Sequence, residues 1–179
     1  IELLLNERLD GAILAGPIEH EDLISFPIYY EKFYAYVSPL DPLYGDKEVD
    51  INKVDPDKLW LLENVHCLRG QIERLCKIRN SRQHSTIKFE SGSIDTLLHV
   101  VDMNPGLTII PEMHAMGLSE EKQDSLRPFK NLNAVREVSL MVNRHNAKTA
   151  IQDCIIDIVK HSVPKSMQTP ALKKYVVDL

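Results

Sequence analysis

Short runs of apolar residues recur along the chain, separated by residues that favour turns. Short, mainly apolar runs between turn signals are typical of buried strands, and such strands are predicted at 12–15, 33–37, 59–62 and 107–110. Residues 86–89 alternate as in a strand, and a further strand is predicted at 135–142. Apolar residues spaced three and four apart are typical of helices that pack on a core, and helices are predicted at 67–79, 93–102 and 147–162. The stretch 18–27 is predicted to be a loop.

This alternation of strands and helices predicts an α/β fold with mostly parallel sheets. The strands at 12–15 and 33–37 follow each other without a long helix between them, which indicates that the chain changes sheet there. The strand at 135–142 and the helix after it would then return the chain to the first sheet. We therefore predict two lobes joined by two crossings, with a cleft between them.

Composition excludes several classes of protein. The chain has 179 residues, a net charge of −5 and scattered Lys and Arg, so it lacks the basic face that grips nucleic acid. No apolar run approaches the roughly 18 residues that span a bilayer. Three cysteines do not fit a secreted disulfide framework, and a cytoplasmic protein is expected. The first residue is not Met and the start resembles the middle of a helix, so we expect a fragment of a longer protein.

One segment combines cysteines with polar neighbours. Cys67 lies where the helix at 67–79 should begin, and the unpaired N–H groups and positive dipole there stabilise a thiolate. His66 and Arg69 add hydrogen-bond donors or positive charge beside it. A thiolate attacks peroxide to give a sulfenic acid, which a second thiol converts to a disulfide. Cys76 is the other cysteine nearby in the sequence.

Helix geometry constrains this pairing. Nine residues of continuous helix rise about 13.5 Å and turn through about 900°, so the two side chains would lie on opposite faces. A disulfide requires Cα atoms within about 7 Å, so the helix must break between the cysteines or unwind when they bond. Gly70 favours unwinding, since glycine weakens a helix by up to about 1 kcal/mol relative to alanine.

Other interpretations of the cysteines stay open at this point. Both could be buried structural residues, because free cysteine packs as a small hydrophobe. A zinc site from His66, Cys67, Cys76 and His84 has spacing that fits no common structural zinc site. We expect Cys154 in the core, since it shares a predicted stripe on the last helix with Ile151, Ile155, Ile158 and Val159.

Three groups of residues resemble the OxyR family, the hydrogen-peroxide sensors among the LysR-type transcriptional regulators. They are His66-Cys67-Leu68-Arg69 with a second cysteine nine residues after Cys67, Ser93 to Leu97, and Gly106 to Pro111. Arg136 is similar to an active-site arginine of that family. The sequence departs from the family at Gly70, where an acidic residue is expected, at Lys88, where some relatives carry His, and in a longer loop after Cys76.

The resemblance implies an α/β fold with two Rossmann-like subdomains of the periplasmic-binding-protein type II, joined by crossing hinge strands. Residues 1–32 with 137–165 would form regulatory subdomain I, residues 33–136 subdomain II with the redox cysteines, and residues 166–179 a C-terminal tail. Cys67 would be the peroxidatic and Cys76 the resolving cysteine. His66, Arg136 and Arg69 would line the peroxide pocket, with no metal and no cofactor.

The resemblance also implies partners. These are hydrogen peroxide, further copies of the chain in a dimer or tetramer, promoter DNA bound by a missing N-terminal helix-turn-helix domain, RNA polymerase, and a reductant such as glutaredoxin or thioredoxin. The protein would be an activator of antioxidant genes, not an enzyme, and would not contact membranes. Two other functions remain open, a LysR-type regulator that binds a small organic ligand and a thiol peroxidase.

Overall fold

The chain passes twice between two units. The structure is a computed structural model and describes residues 1–62, 67–76, 92–130, 133–146 and 148–177. Unit 1 contains Ile1–Glu31 and Val135–Leu179, and unit 2 contains Lys32–Ala134. The crossings lie one and two residues before the predicted boundaries, and residues 166–179, predicted to be a separate tail, belong to unit 1. In the described part of the chain, no helix is long and apolar enough to cross a membrane.

Unit 1 is built on strand β5 (Val135–Asn143). Strand β1 (Ala12–Gly16) pairs antiparallel with it, from Ala12 opposite Met141 to Gly16 opposite Glu137. On the other side of β5 lies β2 (Leu23–Val37), which begins in this unit. Helix α1 (Glu2–Leu5) places Leu4 in one core cluster. The long helix α6 (Thr149–Ser162) packs on a second cluster formed by Ile28, Leu140 and Val142.

Helix α6 presents to the core a face that overlaps the predicted stripe only at Ile155 and Val159. Ile155, Ile156 and Val159 pack against the strands, and Gln152 is buried beside them. These positions follow the three-and-four spacing as well as the predicted stripe does, but a glutamine at the first of them hid the pattern. Ile151 and Ile158 are 58% and 61% exposed. Cys154 lies on their side of the helix and is exposed, so its predicted place in the core was wrong.

The segment after α6 folds back onto unit 1. Two short 3-10 helices, Lys165–Gln168 and Pro170–Tyr175, follow the long helix. Met167 is buried, and the Gln168 side-chain amide donates hydrogen bonds to the carbonyls of Lys160 and Val163 at the end of α6. The Val177 N–H donates to the Val135 carbonyl at 2.9 Å. The segment is therefore bound to the first residue of β5.

Unit 2 holds the second part of β2 between two partners. Strand β3 (Leu107–Pro111) pairs antiparallel with it, from Phe33 opposite Pro111 to Val37 opposite Leu107. The short strand β4 (Leu126–Pro128) also pairs antiparallel with β2. Around them lie α2 (Cys67–Leu75), α3 (Ile94–Met103), α4 (Glu112–Met116), α5 (Glu120–Gln123) and the 3-10 helices Pro42–Gly45, Ile51–Lys53 and Pro56–Lys58.

Helix α3 packs on this sheet as its sequence predicts. Leu97, Leu98 and Val101 are buried on one face, and Ser93 is the N-cap residue. Leu98 and Val101 join Tyr36 and Ile110 in the main core cluster of unit 2. The Tyr36 hydroxyl also donates a hydrogen bond of 2.6 Å to Asp102. The helix is thus held to β2 by both apolar and polar contacts.

Three sequence predictions about strands were wrong. Residues 23–27 belong to β2 and are not a loop, and Pro27 is an exposed residue within that strand. Residues 59–62 do not form a strand, and Leu59 makes only an isolated bridge with Leu107. The pairs of β1 with β5, β2 with β3 and β2 with β4 are antiparallel and not parallel as predicted, while the described isolated bridges are parallel. The predicted strand at 86–89 lies outside the described residues.

Candidate redox site

Helix α2 begins at Cys67, as predicted from the sequence. It buries Leu68 and Ile72 in unit 2, which are 3% and 1% exposed. The helical hydrogen bonding continues to the second cysteine, because the Cys76 N–H donates to the Ile72 carbonyl at 2.9 Å. The two cysteines therefore lie at opposite ends of one unbroken helix. Nine residues of helix separate them by about 13.5 Å along the axis, too far for a disulfide.

The Arg69 side chain anchors this helix. Its Nη1 donates a 2.7 Å hydrogen bond to the Leu62 carbonyl, and its Nε donates a 2.9 Å bond to Glu73 Oε1 one turn later. The Arg69 side chain is 14% exposed, so these charge-assisted bonds are shielded from water. They connect the first turn of α2 to the chain before it and to the following turn. The predicted place of Arg69 in a peroxide pocket stays a prediction.

Cys76 is a half-buried free thiol. Burial raises the pKa of its thiol to about 12. The thiolate is the nucleophilic form of cysteine, so Cys76 is protonated and unreactive at neutral pH in this conformation. The first turn of a helix has the opposite effect on a thiol, because the helix dipole favours an anion there. The two ends of α2 are therefore chemically unequal places for cysteine.

The exposures of the cysteines predict an order of labelling. Iodoacetamide is expected to alkylate exposed Cys154 at least about tenfold faster than half-buried Cys76 in the folded protein at pH 7–9, because Cys76 stays protonated over this range. Unfolding in urea should bring the Cys76 pKa back towards its ordinary value of about 8.5 and remove the difference. Peptide mass spectrometry after timed alkylation measures both rates. Equal rates in the folded protein would contradict the described burial of Cys76.

Arg136 is the second residue of β5, in unit 1. Its Nε donates a hydrogen bond of 2.6 Å to Glu31 Oε1, while the Glu31 side chain is 0% and the Arg136 side chain 17% exposed. The Tyr29 hydroxyl is nearby, and its pKa is raised by burial and by the Glu31 carboxylate, and lowered by Arg136. Glu31 was not singled out in the sequence analysis. The signal was a single carboxylate within a strand of mainly apolar and aromatic residues.

The structure does not describe the side chains of two predicted site residues, His66 and Cys67. His66 lies outside the described residues, as do His84 and Lys88, and the Cys67 side chain is not described although its backbone is. Within the described part of the chain, no three His, Cys, Asp or Glu side chains come together as a metal site. The structure therefore places Cys76 and Arg69 on the same helix as Cys67 in unit 2, and Arg136 in unit 1.

The match to a family model settles what kind of domain this is. The model of the LysR substrate binding domain matches residues 1–163. The chain belongs to the LysR substrate-binding domain family. This membership, and the likeness to solved regulatory domains, confirm the predicted α/β fold of periplasmic-binding-protein type II, with the strand directions corrected above.

Within the LysR family, the chain is similar to peroxide regulators. A crystal structure of OxyR from Porphyromonas gingivalis is 31% identical and has a TM-score of 0.84, and the match covers 94% of this chain and 76% of that one. The hydrogen peroxide-inducible genes activator of Haemophilus influenzae is 29% identical over 79% of this chain and 46% of its own length. The transcriptional regulator EstR of Acinetobacter baylyi is 27% identical over 89% of this chain and 52% of its length.

These LysR relatives bear on the predicted class of activity. The chain spans about half the length of the two curated relatives, at 46% and 52%. Both are named as an activator or a transcriptional regulator, which agrees with the prediction that this LysR domain is a regulator and not an enzyme.

Proposed function

We propose that this LysR domain senses hydrogen peroxide through Cys67 and Cys76. The Cys67 thiolate attacks one oxygen of peroxide, the O–O bond breaks, and the other oxygen leaves as hydroxide and is protonated to water. Cys67 is thereby oxidised to a sulfenic acid. The Cys76 thiol then displaces the sulfenic oxygen as a second water, and the disulfide forms. The observation that carries the proposal is the unbroken helix α2 between the two cysteines.

The unequal ends of α2 support these two roles. Cys67 occupies the first helical position, where the dipole stabilises a thiolate. Cys76 has a pKa raised by burial to about 12 and does not compete for peroxide. Its reactivity rises once the surrounding helix opens and water reaches the thiol. The order of events, first Cys67 and then Cys76, follows from these environments.

The unbroken helix also supports a change of structure as the signal. A disulfide requires the two Cα atoms to approach within about 7 Å, so bonding must unwind part of α2. Unwinding detaches Leu68 and Ile72 from the core and strains the Arg69 bonds to Leu62 and Glu73. The oxidised and reduced forms therefore differ in packed structure, which is what a two-state switch requires.

The remaining assignments rest on the resemblance and are part of the proposal. His66, Arg136 and Arg69 contribute to the peroxide pocket. The whole protein forms dimers and tetramers in the cytoplasm, binds promoter DNA through an N-terminal helix-turn-helix domain, and activates antioxidant genes with RNA polymerase. A glutaredoxin or thioredoxin reduces the disulfide and resets the switch. The relatives named as peroxide-inducible activators support this assignment.

Thiol counting after brief exposure to micromolar peroxide tests the proposal. The variant Cys154→Ser removes the exposed thiol that is not involved. In this background two thiols should disappear together, and the Cys67→Ser variant should lose none. The Cys76→Ser variant should stop at a sulfenic acid that a dimedone probe traps for mass spectrometry. Oxidation no faster than that of free cysteine would refute the proposal, and sustained turnover with a thiol reductant would favour a peroxidase.

A second candidate function is a LysR regulator that responds to a small organic ligand. It is favoured by the similarity to EstR, whose name does not mention peroxide. The thiol experiment separates the two functions, because ligand sensing requires no rapid loss of thiols. Ligand-dependent protection from unfolding without thiol oxidation would support this second function.

Replacing Gly70 tests whether unwinding limits the switch. Among the described residues, a Cβ added at Gly70 meets no atom within 4 Å apart from the helix's own backbone, so Gly70→Ala should stabilise α2 by up to about 1 kcal/mol. Formation of the disulfide from the sulfenic acid should slow by up to about fivefold, while the first oxidation keeps its rate. Stopped-flow oxidation with dimedone trapping resolves the two steps. An unchanged second step would mean that opening of the first turn does not limit bonding.

A further inference from the structure

The Glu73 carboxylate closes the turn of α2 that contains Gly70. Its Oε1 accepts a 2.9 Å hydrogen bond from Arg69 Nε, and the two residues lie four positions apart with Gly70 between them. Side chains four apart are neighbours only while the turn between them is helical. Glycine weakens a helix more than any residue except proline. The Arg69–Glu73 pair therefore spans the position at which α2 unwinds most easily.

The same guanidinium is bound on its other side by the chain that precedes the helix. Arg69 Nη1 donates a 2.7 Å hydrogen bond to the carbonyl of Leu62, a residue that is 1% exposed. Because the fork of an arginine is rigid, a carboxylate held at Nε fixes the direction in which Nη1 points. The Arg69 and Glu73 side chains are 14% and 30% exposed, so their charge-assisted bond is partly shielded from water and is stronger than a neutral one. Glu73 thus holds Arg69 against Leu62.

We propose that Glu73 is a positioning residue that acts through Arg69 and sets how readily the Cys67–Cys76 disulfide forms. The inference rests on the proposed function. The disulfide requires Cα atoms within about 7 Å, so α2 opens between the cysteines, and the turn at Gly70 opens with the loss of the pair that spans it. The pair therefore stabilises the reduced form alone. An interaction present in one of two states shifts their equilibrium by its full free energy, so Glu73 disfavours the disulfide.

The Glu73→Gln variant tests this role in the Cys154→Ser background. Glutamine has a similar size and helix propensity but no charge. In glutathione buffers the Cys67 and Cys76 thiols pass two electrons and two protons to one glutathione disulfide, which becomes two glutathione thiols. Alkylation of the remaining protein thiols and mass spectrometry give the equilibrium constant. We expect this constant to rise about fivefold, since a charge-assisted hydrogen bond of the reduced form becomes a neutral one.

Unfolding of the two redox forms separates this role from a merely structural one. Glu73→Gln should lower the urea midpoint of the reduced protein and leave the midpoint of the oxidised protein unchanged. An equal loss in both forms, with the equilibrium constant unchanged, would show that the pair survives bonding, and would overturn the inference while the proposed function stands. A parent protein that forms no Cys67–Cys76 disulfide at any glutathione ratio refutes the proposed function, and this inference with it.

Two further variants show whether Glu73 acts through Arg69. Arg74→Gln removes one charge from an exposed position of the same helix, so its equilibrium constant should stay within about twofold of the parent value, and a fivefold rise there would overturn the inference. Arg69→Met lacks both hydrogen bonds and should raise the constant about fivefold or more. Adding Glu73→Gln to Arg69→Met should then change it by less than about twofold. A second fivefold rise would show independent effects and overturn the inference, as would a parent-like constant in Arg69→Met.

Discussion

Replacement of Arg136 by alanine is expected to lower the free energy of unfolding by about 3–5 kcal/mol. The substitution removes the cation that balances the buried Glu31 carboxylate, and breaking a buried ion pair from one side costs this much because a charge stays behind in the protein interior. Chemical denaturation followed by circular dichroism measures the loss. The large value distinguishes this arginine from those on the surface, where substitutions change stability by within about 0.5 kcal/mol.

Two further variants separate charge from packing at this pair. Arg144 is exposed and lies just after the same strand, so Arg144→Ala is the matched control and should change stability little. Adding Glu31→Gln to Arg136→Ala removes the buried charge and should recover most of the lost stability. If Arg136→Ala and Arg144→Ala prove equally stable, the Glu31–Arg136 pair contributes nothing to the folded state.

Replacement of Gly106 by alanine is expected to destabilise unit 2 by about 3 kcal/mol or more. Gly106 has a φ of 123°, which side chains rarely tolerate. A Cβ there would stand 2.2 Å from the Lys58 carbonyl oxygen and 2.9 Å from Trp60 Nε1. Because the first contact is with backbone, relief requires moving the bridge between Leu59 and Leu107. Backbone strain and overpacking therefore act at the same position.

Trp60 provides a local probe for this prediction. It is the only tryptophan in the chain, and its Nε1 donates to the Pro105 carbonyl at 3.2 Å. Its fluorescence during denaturation should show unit 2 unfolding at a lower urea concentration in Gly106→Ala. Gly45→Ala is the control, since an added Cβ there meets no atom of the described residues within 4 Å. A Gly106→Ala transition that coincides with the parent transition would contradict the described close approach.

The sequence predicts best those elements whose local pattern agrees with their environment. The helix after Ser93 shows a clear three-and-four spacing, and its predicted face is buried. The strand at 107–110 is apolar except for Thr108 and is buried throughout. The start of α2 at Cys67 was also predicted correctly. In each case local propensity and tertiary packing favour the same result, so the pattern is sufficient.

The predictions that failed depended on contacts distant in sequence. Pro27 favours a loop locally, yet β2 runs through it because the strand is held by its neighbours along the sheet. Two faces of α6 carry residues at the three-and-four spacing of a buried helix. The face that packs on Leu140 and Val142 is the one that begins with the buried Gln152. Strand direction is a property of pairing and not of a single strand. The burial of Glu31 depends on Arg136, which lies 105 residues away, so no local pattern reveals it.

The exposed side of α6 carries a cysteine, Cys154, that can be labelled with a dye. Cys154 lies in unit 1 and the single tryptophan lies in unit 2. In a chain where Cys67 and Cys76 are replaced by serine, Cys154 becomes the only site for a thiol-reactive dye, and Trp60 is already the only indole donor. Energy transfer between the two would then serve as a molecular ruler from one unit to the other. The protein thus carries both ends of a spectroscopic distance measurement in its native sequence.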